Sequence, residues 1–308
     1  MLRGIILKIL SVLVFVCMSA LVKQAGRTFP VGEVVFARSF FALPVIVGWV
    51  WSQGLLPAGL KTQRVGGHVF RGVISAGGMI FGFWGLSLLP LPDATAIGFA
   101  MPLMVVALAA LVLGEKVRLY RWSAVALGFV GVTLMLWEHL GTPAPGAPAP
   151  NAFGACIALT AAAFAALATI QTRRLTRTEG TGAIVFYLSL MTSLFGLASI
   201  ALPAAARQAW VMPGLLDGAL LVSIGLLGGL GQLLLTGAAR RADASVIAPF
   251  DYLSLLFALG IGAAFFGERA SATVLTGAVL VIAAGVFVIW RENQLGLLRP
   301  ERAEARPL

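Results

Sequence analysis

The chain has 308 residues, 59% of them hydrophobic and only 11% charged, where a soluble domain carries about 25% charged residues. That balance excludes a water-soluble globule. The net charge of +10 sits in short loops with no basic run interleaved with aromatics, which argues against a nucleic-acid partner and for a lipid one.

Apolar runs of about 20 residues, the length that spans a hydrocarbon core as helix, recur from end to end. They predict membrane helices over 4–22, 31–51, 68–88, 93–113, 120–137, 152–172, 181–202, 218–238, 243–266 and 272–290. The first run, "GIILKILSVLVFVCMSALV" behind Arg3, has the look of a signal peptide. Nine comparable segments follow, so it is read as an uncleaved first span. Cys17 and Cys156 lie inside apolar runs and read as small apolar side chains, not a disulfide framework.

The loops alternate in charge. With the N-terminus on side one, 16 Lys and Arg fall on that side and 4 on the other, with Lys8 and Arg38 inside spans. The positive-inside rule then puts side one, and both termini, in the cytoplasm. Between the fifth and sixth spans "GTPAPGAPAP", 141–150, is an uncharged Pro-, Ala- and Gly-rich outer linker. It separates a first five-helix unit, 1–140, from a second, 151–291, which a tail, 292–308, follows.

The two units repeat. "LPDATAIGFAMPLMVVALAALVLGEK" matches "RADASVIAPFDYLSLLFALGIGAAFFGER". Asp93 and Asp243 are 150 residues apart and Glu115 and Glu268 are 153 apart; the 150 offset also pairs "EVVF" with "AIVF" and Gly78 with Gly228. Five spans per unit is an odd number, so the second copy is inserted upside down. Inverted repeats of this kind underlie many secondary transporters, which bind cargo near the midplane between the halves.

On these motifs ("LGEK", "FGER" and "EVVFARSFFALP") and the 5+5 layout, nearly the whole chain resembles the drug/metabolite transporter superfamily in its ten-helix form with two EamA-type repeats. Within it the chain is most similar to bacterial exporters of aromatic amino acids. The resemblance implies an all-α membrane protein of the bacterial inner membrane. Spans one to four and six to nine would surround a central cavity, with five and ten outside.

Several residues are candidates for the cavity wall. In "GGMIFGFWG" of the third span, Gly78, Gly82 and Gly85 form a smooth face for close packing, with Phe81 and Trp84 on an adjacent one. Lone membrane aromatics commonly face lipid or core, but Trp84 falls deeper than an interfacial belt requires. Pro102 in "FAMPLM" and Pro249 in "APFDYL" break corresponding spans, freeing carbonyls near Gly98 and Ser245 for water or cargo, or else making a simple packing kink. Phe99, Met101 and Tyr252 flank the breaks. Gln232, on the eighth span, bonds either a neighbouring helix or a ligand, and Tyr187, on the seventh, is a further polar group. Arg38 reads as structural, snorkelling or paired with Glu33 or a cavity acid, with a cargo role open.

Asp251 is the acid in an otherwise apolar span, about 12 Å deep at 1.5 Å per residue. Three readings stand: it binds a substrate ammonium, it carries a coupling proton, or it pairs with Arg38 or Lys8. There is no catalytic constellation, P-loop or metal-spaced His/Cys/carboxylate cluster, so neither an enzyme nor a cofactor is expected. Nor is there a filter motif or ring of like charge, as a channel would need. The expectation is an alternating-access exporter of small metabolites, amino acids with aromatic or large apolar side chains first, with another small solute class as the alternative. Proton coupling and oligomeric state stay open.

Overall fold

A backbone crossing hydrocarbon must satisfy its own hydrogen bonds, and each apolar run does so as helix. The computed structural model describes residues 2–113, 118–140, 151–176, 178–201, 209–239, 241–242 and 244–295. Asp243, Glu115 and the linker 141–150 lie outside them. Among the described residues, ten helices are long and apolar enough to cross a membrane. The unbroken spans are the first (Leu2–Ala25), third (Val65–Leu88), fifth (Leu119–Leu140), sixth (Ala152–Leu175), eighth (Leu215–Ala239) and tenth (Ala272–Gln294). The seventh, Thr181–Ala198, ends in a 3-10 turn, Ser199–Ala201.

The second, fourth and ninth spans are interrupted. The second divides at Phe41 into Val31–Phe40 and Ala42–Ser52, and the fourth at Phe99 into Leu91–Gly98 and Ala100–Leu113. In both, a proline follows three residues after the break, Pro44 and Pro102. Its missing N–H and its ring spoil the turn before it. The ninth runs as Ala244–Ile247, a 3-10 turn Ala248–Tyr252 that contains Pro249, and Leu253–Phe266. The interruption at Phe41 carries the same proline signal as the other two, at a place where the sequence reading put an unbroken helix.

Ten alternating spans put Leu2 and Gln294 on one face, here the terminal face; the other is the far face. The helices pair by an internal two-fold rule. The first packs on the eighth and the third on the sixth; the first also meets the ninth, and the fourth the sixth. The second packs on the seventh and the fifth on the tenth. Exchanging each span for the one five places later returns the same set, which is how two inverted copies pack.

Small residues allow these approaches. A Cβ on Gly131 would lie 2.6 Å from the Gly277 carbonyl oxygen, and one on Gly277 2.5 Å from that of Gly131. The fifth and tenth spans therefore touch backbone to backbone. At the terminal face Glu179 accepts the Gln63 N–H at 3.0 Å and lies 3.6 Å from His68 Nε2, tying two loops together. Burial pushes this carboxyl up, but the Gln63 N–H, the Thr62 hydroxyl and His68 outweigh it and hold it below the usual range.

Candidate functional site

A central cavity of about 1110 Å³, walled chiefly by the first, third, fourth, sixth and ninth spans, runs to the terminal face. Its far end is closed by a seal built on helix ends. The third span leaves unpaired carbonyls at its C-terminus, and the fourth an unpaired N–H at its start. Lys23 donates to the Leu86 carbonyl at 3.2 Å and to that of Leu89, and pairs with Glu268 Oε1 at 2.9 Å. Glu268 Oε2 in turn accepts the Leu91 N–H at 2.7 Å. Gly267, at φ 65°, supplies the left-handed turn that ends the ninth span and aims Glu268 inward, with the Glu268 N–H reaching back to the Gly262 carbonyl at 2.9 Å. Beneath the pair, Val16, Ala20, Leu91 and Ala258 pack with Phe257, Ile261 and Phe266 into an apolar plug.

Below the plug the wall is mostly apolar. Phe15, Met79, Phe83, Phe99, Met101 and Tyr252 contribute to it. Phe99 and Tyr252, at the interruptions of the fourth and ninth spans, meet edge to face with centroids 5.3 Å apart. Arg38 lies in this layer, 7% exposed. The carboxylate nearest it in sequence, Glu33, accepts the Val211 N–H at 3.0 Å.

Nearer the terminal face the lining turns cationic. Lys8 Nζ pairs with Asp251 Oδ1 at 2.6 Å, which selects one of the partners the sequence left open for this acid. The Lys8 side chain is 7% exposed, whereas that of Asp251 is 55% exposed towards the open end. Arg71 donates to Thr172 Oγ1 and to the Ile184 carbonyl, each at 2.8 Å, and Arg121 and Arg173 lie close to the mouth. Asp251 is the only acid among the described lining residues, against five cations.

A sealed far end, an open terminal end and two inverted halves around a cavity are the parts of a carrier. The model of the EamA-like transporter family matches residues 2–137 and again 152–291. The chain belongs to that family, within the drug/metabolite transporter superfamily.

This EamA-like transporter is 32% identical to an S-adenosylmethionine uptake transporter of Rickettsia bellii, over 88% of each chain. It is 31% identical to a pseudopaline exporter of Pseudomonas aeruginosa, over 91% of this chain and 94% of that one. A riboflavin transporter of Rhizobium johnstonii is 30% identical over 90% and 85% respectively. A solved crystal structure aligns with 95% of this chain and 98% of its own at TM-score 0.63 and 17% identity, a likeness of fold alone. The chain is thus a multi-pass membrane transporter of a small solute.

Of the residues singled out from sequence, the EamA-like transporter gathers Phe99, Met101, Pro102, Gln232, Asp251 and Tyr252 on the cavity wall. It turns others elsewhere. Trp84 is 36% exposed on the outer surface, edge to face with Phe153 at 5.2 Å. Phe81 leans on Phe164 at 5.4 Å, and Tyr187 on His68 at 4.9 Å. Pro249 lies in the 3-10 turn, between the lining residues Ala248 and Asp251. The third span instead presents Arg71, Ser75, Met79 and Phe83 to the cavity, one stripe at steps of four. Arg71, counted with the loops, is buried inside that span. The fifth and tenth spans, placed outside by the resemblance, also reach the cavity near its mouth through Ala124, Val125, Gly285 and Val288. Their close crossing at Gly131 and Gly277 and the seating of Leu103 against Gly128 draw them inward.

Proposed function

We propose that the chain exports small amphoteric solutes, amino acids with aromatic or large apolar side chains first among them, by alternating access across a bacterial inner membrane. The observation that carries this reading is the cavity itself. Phe15, Phe83, Phe99 and Tyr252 offer an apolar, aromatic wall, and Arg38 and the Lys8–Asp251 pair offer charges of both signs. Aromatic faces suit flat apolar side chains. The distribution of basic residues, 16 on the terminal side against 4 on the other, supports a cytoplasmic terminal face. The state described would then accept cargo from the cytoplasm and keep the outside closed. The names of the relatives cover both uptake and export, so the export direction rests on the resemblance to amino acid exporters.

A competition panel tests the proposal. In proteoliposomes preloaded with L-phenylalanine, external L-tryptophan, L-tyrosine, L-leucine and L-methionine should compete with labelled L-phenylalanine, and glycine and L-glutamate should not. Phe83→Ala should raise the half-saturating phenylalanine concentration about tenfold, the loss of roughly 1.4 kcal/mol. An imposed pH gradient on the same vesicles reports whether transport is proton-coupled. Competition by riboflavin or S-adenosylmethionine without competition by any amino acid would replace the amino-acid reading with the other-solute one.

A further inference from the structure

Arg38 is buried in the second span, 7% exposed, with its side chain on the cavity. Among the described residues no ion pair or hydrogen bond engages its guanidinium, although it carries five donors. The acids that could neutralise it are committed elsewhere: Glu33 to the Val211 N–H, Asp251 to Lys8, Glu268 to Lys23 and the Leu91 N–H. A buried charge of this kind is held at a cost unless something mobile pairs with it.

The neighbouring span makes room for it. A Cβ on Gly228 would stand 3.2 Å from Arg38 Nε and 3.2 Å from Met18 Sδ, tighter than most packed side chains tolerate. Glycine at this point of the eighth span leaves the guanidinium its place on the wall. Gly228 and Met18 also fix its depth. Met18 is five residues from Lys23 and ten from Lys8 on the same helix, about 7.5 Å below the seal and about 15 Å above the Lys8–Asp251 pair. The four other cations of the lining, against one described acid, give the path to it a net positive charge.

We propose that Arg38 is the anchor for the carboxylate of the cargo, held in a bidentate pair at the deep end of the cavity, below the apolar plug that backs the Lys23–Glu268 seal. The proposal rests on reading this cavity as the transport site, and it adds a required chemical group: the cargo bears a carboxylate. The planar fork of arginine donates two parallel N–H bonds to the two carboxylate oxygens, which a lysine does not. Anchoring beneath the seal also places the bound anion where it can compete for Lys23 when the far face opens.

The test uses the full chain in nanodiscs and three probes sharing one phenyl ring: L-phenylalanine, 3-phenylpropanoate and phenethylamine. Binding is measured by thermal shift against probe concentration. The wild type should bind both carboxylates. Arg38→Gln should weaken both at least tenfold, Arg38→Lys should restore only part, and phenethylamine should respond equally to all three proteins. Gly228→Ala, which keeps the charge but crowds Nε, should weaken the carboxylates in the same order and serves if Arg38→Gln does not fold. Carboxylates that bind wild type and variants alike, or bind none of them, would overturn the anchor. If binding depends on Arg38 but labelled L-phenylalanine shows no counterflow, the anchor stands and the amino-acid reading falls.

Discussion

Asp251 interrupts an apolar span, and the structure gives it the Lys8 ammonium as partner at 2.6 Å. The two ends of the pair differ: the Lys8 side chain is 7% exposed and that of Asp251 55%. Removing the acid therefore leaves a buried cation. Breaking one side of a fully buried pair costs about 3–5 kcal/mol and an exposed pair contributes about 0–1, so Asp251→Asn should cost roughly 1–3. Adding Lys8→Gln should recover most of the lost melting temperature, because the double variant buries no unpaired charge. A single variant that melts with the wild type would show that the pair carries no stability. Asp251 was legible from sequence as the unusual residue because charge inside hydrocarbon is costly wherever the helix points. That Phe83 lines the cavity in place of Phe81 and Trp84 was not. Lipid and protein interior are equally apolar, so a membrane helix carries little amphipathic signal to orient its aromatics. The orienting clue was polar: Arg71 and Ser75, one turn apart, begin the stripe that Met79 and Phe83 continue.

At the scale of the element, the ten spans were readable because a membrane allows a spanning chain few structures besides a helix. Two of the three interruptions were readable from Pro102 and Pro249. The third, at Phe41, hid behind Pro44 because "ALPVIVGWVW" has no polar residue to mark a cavity beside it. Pairings between spans were not readable, since they depend on which glycine meets which backbone. The fifth and tenth spans illustrate the point. Gly277→Val would drive a branched side chain into the Gly131 carbonyl and Met135, whose Cγ lies 2.7 Å from a Cβ at that position. Overpacking of this kind costs about 1–3 kcal/mol, and a lower melting temperature should follow. Gly260→Val, at a glycine with nothing within 4 Å, is the matched control and should change stability by less than about 0.5 kcal/mol. Equal losses in the two variants would contradict the backbone-to-backbone crossing.

The whole molecule is a cavity open at one face, sealed at the other, and built from two copies in opposite orientation. The "FGER" motif that served to align the repeats is, in the fold, the turn and acid of that seal: Gly267 bends the chain and Glu268 closes on Lys23. Its first-half counterpart, "LGEK", falls partly outside the described residues. Arg173, 150 residues after Lys23, lines the open mouth. Transport by alternating access requires the Lys23–Glu268 seal to part once in every cycle. The most direct measurement is counterflow of L-phenylalanine by a Lys23→Cys, Glu268→Cys protein, with Cys17 and Cys156 replaced by alanine, before and after a short reducible cross-linker joins the two thiols. Cross-linking should abolish counterflow, reduction should restore it, and carboxylate binding from the terminal face should persist throughout. Counterflow that continues at the uncross-linked rate with the seal locked would contradict the account.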